Sequence, residues 1–182
     1  MNDDYKSVLR LRKKHTGVAT NRSAADGGQL VRDQSLRNAF YAGFIVVIVF
    51  SVVWALASTL SNRIWPWLTI VLGILVGLAV RRAGRGIDWR FPVLAAALAV
   101  VGALIGNIVV AAAFTARVLE TSTFAILRAV TSMTWPVFFA EALSPADVIY
   151  ALFGAAVAAF YANRRLNRAD FLALRKWEQR DE

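Results

Sequence analysis

Residues with reactive side chains are few in this sequence. The 182 residues include no cysteine and one histidine, His15, which lies in a strongly basic stretch near the start. Without cysteine there are no disulfides, thiolate metal ligands or cysteine nucleophiles, and a histidine in a solvated tail is poorly placed as a general base. Motifs of zinc proteases, serine hydrolases and dinucleotide-binding enzymes are missing. The sequence therefore predicts no catalytic residue, no metal site and no cofactor.

Arginines provide the clearest chemistry in the chain. Four of them fall in the short segment 81–90, at Arg81, Arg82, Arg85 and Arg90. Guanidinium groups bind phosphate oxygens in pairs, but the lysine and spacing of a phosphate-binding P-loop are absent. We expect these arginines to contact anionic lipid headgroups, with a specific phosphorylated ligand as the alternative. Two glycines in the segment predict backbone conformations that other residues rarely adopt.

The composition indicates a membrane protein. Hydrophobic residues make up 58% of the chain, charged residues 18%, and the mean hydropathy is +0.51, whereas soluble domains are about 45–50% apolar and a quarter charged. Four apolar runs, at residues 38–60, 64–80, 91–116 and 146–162, carry no charge deeper than their ends. Each approaches the roughly 20 residues that a helix needs to cross a bilayer. We predict an all-α integral membrane four-helix bundle.

Local signals mark where two of these helices begin. Pro66 suits the first turn of the second helix, and Trp65 and Trp67 beside it suit a membrane interface. Ser144, followed by a proline and then by Asp147, is the pattern of a capping box that starts the fourth helix.

Three further segments flank the predicted crossings. Residues 1–37 form a basic tail in which 23–28 have the composition of a flexible linker, and residues 164–182 form a second tail. Residues 117–143 are too polar to cross and too apolar for a solvated loop, which predicts one or two amphipathic helices at the outer interface. Thr121 or Ser122 is the expected cap. A lid, a re-entrant segment or a docking face for another subunit are the functional alternatives, and Trp135 and Phe138 are the contact residues we would expect there.

The distribution of basic residues predicts the orientation. All but three of the 21 lysines and arginines lie in the two tails or in segment 81–90, and the exceptions are Arg63, Arg117 and Arg128. The positive-inside rule then places both termini in the cytoplasm. Because these cations flank membrane crossings, the net charge of +9 is explained without nucleic-acid binding. Glu120, Glu141 and Asp147 would lie on the outer side, and an enzyme would require them to converge on one polar pocket.

Small residues recur at helical spacing in three of the runs. They are Gly73 and Gly77, Gly102 and Gly106, and Gly154 and Ala158. Such pairs let membrane helices approach closely, so we expect them to pack within the chain, with an oligomer seam as the alternative. Asn107, beside Gly106, is expected to form a hydrogen bond between helices rather than to bind a substrate.

The pattern Gly73-x3-Gly77-x2-Val80-Arg81-x2-Gly84-x-Gly86, followed by Phe91, alanines and Gly102-x3-Gly106-Asn107, resembles small uncharacterised bacterial multi-helix membrane proteins. The resemblance implies a helical hairpin with a basic inner turn and no particular activity. Abundant alanine, valine and arginine suggest a GC-rich bacterial genome and hence an inner membrane.

Together these features predict a non-catalytic accessory or scaffold subunit. It would pack against itself or against a larger membrane complex, in contact with anionic lipids. A small oligomeric transporter, channel or lipid-handling protein is the alternative, although the lack of ionisable groups within the runs argues against a pump.

Overall fold

The computed structural model describes residues 27–130, 134–164 and 166–181, and every regular element in these ranges is a helix. The fold class is therefore all-α in the described part of the chain. The helices are α1 Gly27–Arg32, α2 Leu36–Ser61, α3 Leu68–Gly84, α4 Arg90–Val118, α5 Thr123–Ala129, α6 Trp135–Ala142, α7 Pro145–Ala162 and α8 Arg168–Asp181.

Three of these helices, α2, α4 and α7, are long and apolar enough to cross a membrane. This finding among the described residues points to a membrane protein. Helix α3 has 17 residues, which is at the lower limit for a crossing.

Helix α2 begins and ends at local signals. The Ser35 side chain accepts a hydrogen bond from the backbone N–H of Asn38 at 3.2 Å, and Asn62 adopts a left-handed conformation with φ of 51° after the last turn. These caps satisfy backbone groups that a helix end leaves without partners. The helix covers the predicted run 38–60 and extends it at both ends.

Helix α3 starts later than the sequence predicts. The backbone N–H of Leu68 donates to the carbonyl of Trp65 at 3.1 Å, and both the N–H and the hydroxyl of Thr69 donate to the carbonyl of Pro66. Residues 65–67 thus form a turn whose carbonyls satisfy the first N–H groups of the helix. The prediction that Pro66 lies in the first helical turn is wrong, because its ring shapes the preceding turn.

The expected role of the glycines after α3 is also wrong. No glycine in the described residues has a positive φ, and the left-handed position is taken by Arg85, with φ of 47°. Gly84 and Gly86 instead make room for the ring of Phe91: a Cβ on Gly84 would lie 2.6 Å from its Cε1 atom. The two glycines permit close approach to a buried aromatic ring.

The four long helices alternate in direction. Helix α3 contacts α2, α4 and α7, and α4 also contacts α2 and α7. Val47, Leu72, Val76 and Val80 fill the centre together with Ala95 and Leu98. The start of α2, the end of α3, the start of α4 and the end of α7 meet at one end, which we call the basic end after Arg81, Arg82, Arg85, Arg90 and Arg164. The opposite end is called the cap end, because α5 and α6 lie there.

Shorter helices lie at both ends of the four long helices. At the cap end, residues 117–143 include the helices α5 and α6, and the expected cap at Ser122 is confirmed by a hydrogen bond from the backbone N–H of Ala125. Near the termini, α1 contacts α8. Gly27 and Gly28 are buried in α1, so the predicted flexible linker is wrong at these two positions. Residues 1–26, which include His15, lie outside the described residues.

The capping box at the start of α7 is confirmed. The Ser144 side chain accepts from the backbone N–H of Asp147 at 3.3 Å, and the Ser144 N–H donates to the Asp147 carboxylate at 2.9 Å. Asp147 lies in the first turn, where its charge also complements the helix dipole.

We predict that Ser144→Ala lowers the free energy of unfolding by about 1 kcal/mol, because the mutation removes the cap of a long packed helix. Ser122→Ala is the matched control: it removes the same type of cap from α5, which has no buried residue. Unfolding in detergent, followed by circular dichroism, measures both variants. Equal losses for the two would contradict the assignment of Ser144 to the packed helix.

Candidate functional site

Helices α3 and α7 pack backbone against backbone. A Cβ on Gly73 would collide with the backbone carbonyl of Gly154, and a Cβ on Gly77 would lie 2.5 Å from the carbonyl oxygen of Ala158. From the other side, a Cβ on Gly154 would lie 2.7 Å from the Thr69 carbonyl oxygen. The backbones of α3 and α7 therefore touch directly along this seam.

Glycines also line the packing of α4 against its neighbours. A Cβ on Gly102 would lie 2.9 Å from Val47 and 3.0 Å from Leu72, and one on Gly106 would lie 2.7 Å from the ring of Trp54. Together with the α3–α7 seam, this places all six predicted small residues against other helices of the same chain. Their small faces are thus already occupied and are not free for a second copy.

Two buried polar residues come together between α4 and α7. Asn107 is 5% exposed and Asp147 is 8% exposed, and both line a cavity of about 100 Å³ that is otherwise bordered by apolar residues such as Ala103 and Leu152. The carboxylate of Asp147 is engaged by Ser144. The hydrogen bond between helices predicted for Asn107 is absent among the described residues.

A second group of buried polar atoms lies on helix α2. The indole N–H of Trp54 and the hydroxyl of Ser58 are buried and have no hydrogen-bond partner in the described part of the chain. Leaving such a group without a partner costs about 1–3 kcal/mol. Ser51 and Ser58 are seven residues apart and Trp54 lies between them, which is the spacing of one helical face. In the sequence, that spacing is the signal that these three residues share one face of α2.

The basic end gathers arginines from separate segments. Arg81, Arg82 and Arg85 line an open cavity of about 310 Å³ with Arg164, Asp33 and Leu30. Arg85 Nη1 lies 3.8 Å from Asp33 Oδ2, and Arg164 donates to the Arg85 carbonyl at 3.3 Å.

Three of the four arginines predicted to contact lipid headgroups line this cavity, and the fourth does not. Arg90 does not line the cavity and lies 3.8 Å from Asp88 instead. Arg164 takes its place, and no local sequence signal indicated it, because α7 returns to this end only in the folded chain.

The backbone around the cavity is tied to its neighbours. The Ser35 N–H donates to the Gly84 carbonyl at 3.0 Å, and the Ile87 N–H donates to the Gln34 side chain at 3.4 Å. These bonds hold the segment between α1 and α2 against the turn after α3. The backbone that carries the arginines of that turn is therefore hydrogen-bonded to the segment between α1 and α2.

The cap end presents aromatic and apolar surface. The Trp135 ring stacks on Phe138 with 6.5 Å between ring centres, and it meets Phe139 edge-on at 4.4 Å. Trp135 remains 44% exposed, and Val137 beside it is exposed as well. The two predicted contact residues thus form one aromatic cluster on α6, with Trp135 as its exposed member.

A wider groove runs between α2 and α4 near the same end. It encloses about 560 Å³ and is lined mostly by apolar side chains, among them Val52, Leu56 and Val109. Arg117 lies at its rim and donates to the backbone carbonyl of Thr59. This hydrogen bond ties the end of α4 to α2.

The acids near the cap end do not form a shared site in the described residues. No three histidine, cysteine, aspartate or glutamate residues there are close enough to hold a metal ion. Glu120 is exposed and lies just beyond α4, whereas Asp147 is buried in its capping box. The side chain of Glu141 lies outside the described residues.

Comparisons with protein-family models, curated proteins and solved structures find no match for this chain. Three features stand out in the described part of the chain: the backbone contact of α3 with α7, the arginine cavity and the exposed cap.

We predict that the free energy of unfolding of Gly73→Ala is about 1–3 kcal/mol lower than that of Gly43→Ala, because the methyl group at position 73 would push against the backbone of Gly154. Gly43→Ala is the matched control, since its Cβ would meet the tips of Leu98 and Val80, which can rotate. In both variants, replacing glycine with alanine also stabilises the helix by about 1 kcal/mol, so this contribution cancels in the comparison. Denaturant titration in detergent measures the difference, and equal stability of the two variants would contradict the backbone contact.

Proposed function

We propose that this chain is a non-catalytic integral membrane protein that serves as an accessory or scaffold subunit. In this proposal it crosses a bacterial inner membrane four times, has both termini in the cytoplasm, and docks through its cap end against a larger membrane complex or a second copy. The observation that carries the proposal is the exposed apolar cap on a chain whose small-residue faces are already filled.

The position of α3 supports a fourth crossing. Helix α3 has a neighbour on three sides, and its residues Gly73 and Gly77 meet Gly154 and Ala158 of α7 in register. A helix packed side by side with three apolar helices lies at the same depth as they do. Its 17 residues span about 26 Å at 1.5 Å each, and the stacked Trp65 and Trp67 suit the interface beside its start.

The charge pattern supports the orientation. The cations at the basic end belong to segment 81–90 and to the start of the C-terminal tail, whereas Arg63 and Arg117 lie toward the cap end. The positive-inside rule then assigns the basic end to the cytoplasm. The cap end faces outward in this orientation.

The weak attachment of α5 and α6 supports docking at the cap. Helix α5 has no buried residue, and Phe124 on it is largely exposed. On α6 the aromatic cluster leaves Trp135 open. Apolar interfacial helices of this kind lie either in lipid or under another protein, and aromatic residues dominate the centres of protein interfaces.

A transport role receives less support from the same structure. Val47, Leu72, Val76 and Val80 fill the space between the helices together with alanines. Within the described residues this packing leaves no polar path along the axis of a single chain, so transport would require a channel formed between copies.

The topology is tested with single cysteines, because the chain has none of its own. We predict that Asp88→Cys is labelled by a membrane-impermeant maleimide only after the cells are opened, whereas Thr121→Cys is labelled in intact cells. Both positions lie in exposed turns, so accessibility depends on the side of the membrane. Labelling of both in intact cells, or the reverse pattern, would contradict the orientation.

Docking at the cap is tested by native mass measurement after mild extraction. We predict that the full chain is recovered with a stoichiometric protein partner and that Trp135→Ala reduces this association at least tenfold, since a buried interface tryptophan contributes about 2 kcal/mol or more. Phe153→Ala is the control, because it removes an exposed aromatic ring from the side of α7. Recovery of the unchanged chain as a monomer, or equal loss in the control, would overturn the docking proposal.

A further inference from the structure

We propose that the basic end contains a binding site for a single anionic phospholipid. Its phosphate would be bound by Arg81, Arg82 and Arg164, and an acyl chain would lie along Phe160 and Tyr161. The proposal rests on the proposed membrane insertion but not on the subunit role.

The charge balance of the arginine cavity calls for an anion. Among the described residues, four arginines and one acid, Asp33, line it, and arginine does not lose its proton in proteins. Asp33 lies at 3.8 Å from Arg85, whereas Arg81, Arg82 and Arg164 have no acidic partner in the described part of the chain. Like charges gathered around one cavity repel each other, and a bound phosphate relieves that repulsion.

Hydrogen bonds fix the side chain of Arg164 and the backbone that carries Arg81 and Arg82. Arg164 uses one guanidinium nitrogen on the Arg85 carbonyl at 3.3 Å, which leaves its other N–H groups available. Arg81 and Arg82 occupy the last turn of α3, whose end is fixed where the Arg85 N–H donates to the Arg81 carbonyl at 3.2 Å. A rim fixed in this way reduces the ordering that a phosphate must impose when it binds.

A second cavity adjoins the first and is suited to an acyl chain. It has a volume of about 300 Å³ and is lined by Arg81, Phe160, Tyr161 and Asn163. Arg81 lines both cavities, so one guanidinium group lies between the charged site and an aromatic surface. Phe160 is 67% exposed there, and its ring meets Tyr161 edge-on at 5.7 Å.

This arrangement favours a lipid over free phosphate. Both would present the same anionic oxygens to the arginines, but only a lipid would also cover the aromatic surface. In the proposed orientation the basic end lies at the cytoplasmic interface, where phosphate groups and the beginnings of acyl chains meet. The site therefore matches the two chemical parts of a phospholipid at the depth where they occur.

Native mass spectrometry of the full chain in detergent tests the site. The probes are phosphatidylglycerol, phosphatidylcholine and inorganic phosphate, each titrated separately. We expect one phosphatidylglycerol to bind in preference to phosphatidylcholine, and Arg164→Gln to weaken that binding about tenfold, because a charge-assisted hydrogen bond is lost. Arg164→Lys should restore binding only in part, since lysine keeps the charge but not the planar donor pair.

Arg90→Gln is the matched control, because Arg90 lies at the same end but outside the cavity. We expect it to leave phosphatidylglycerol binding unchanged. Equal weakening by Arg90→Gln and Arg164→Gln would overturn the site in favour of general surface charge.

A third variant separates lipid from free phosphate. Phe160→Ala should weaken phosphatidylglycerol binding several-fold and leave inorganic phosphate binding unchanged. If inorganic phosphate displaces the lipid completely and Phe160→Ala has no effect, the site binds phosphate and the lipid proposal is overturned.

Carbonate extraction of the expressing membranes, done first, keeps this test distinct from the proposed function. Release of the chain into the supernatant would overturn both the proposed membrane insertion and the lipid site. A chain that stays in the membrane pellet but shows no preference for phosphatidylglycerol would overturn the lipid site alone.

Discussion

Direct contact between the backbones of α3 and α7 is the constraint on which the remaining packing depends. Lipid tails are as apolar as leucine, so membrane helices associate through close packing rather than through hydrophobic attraction. Gly73 and Gly154 allow that closeness. With α3 held against α7, its other sides meet α2 and α4, and a core of valines, leucines and alanines forms between them. The aromatic cap and the arginine cavity then lie at opposite ends of one rigid centre.

The all-helical fold and several helix ends could be predicted from the sequence because their signals are local. Apolar runs and the Ser144–Asp147 capping box each act within a few neighbouring residues. The errors concern details that the pattern of apolar runs does not decide. Gly84 and Gly86 accommodate Phe91 from the next helix, and the late start of α3 depends on the carbonyls of a turn. Segment 81–90 contains three of the arginines that line the cavity, whereas Arg164 joins them only through the return of α7.

Arg85 occupies the left-handed position that ends α3. Its left-handed conformation suits glycine and costs other residues about 1 kcal/mol or more, yet glycines stand on both sides of it. Those neighbours are themselves fixed by the ring of Phe91. The chain thus accepts strain at the one position where the side chain reaches Asp33 and the carbonyl receives Arg164.

The short link between α2 and α3 has a consequence for biogenesis. Helix α2 ends at Ser61 and α3 begins at Leu68, and the turn at residues 65–67, with its stacked Trp65 and Trp67, makes up half of the link between them. So few residues cannot bridge a bilayer, so once α2 is across, the start of α3 must lie on the side where α2 ends. For a chain that spans the membrane in the proposed way, α3 then enters the lipid from that side, directly beside the strongly apolar α2.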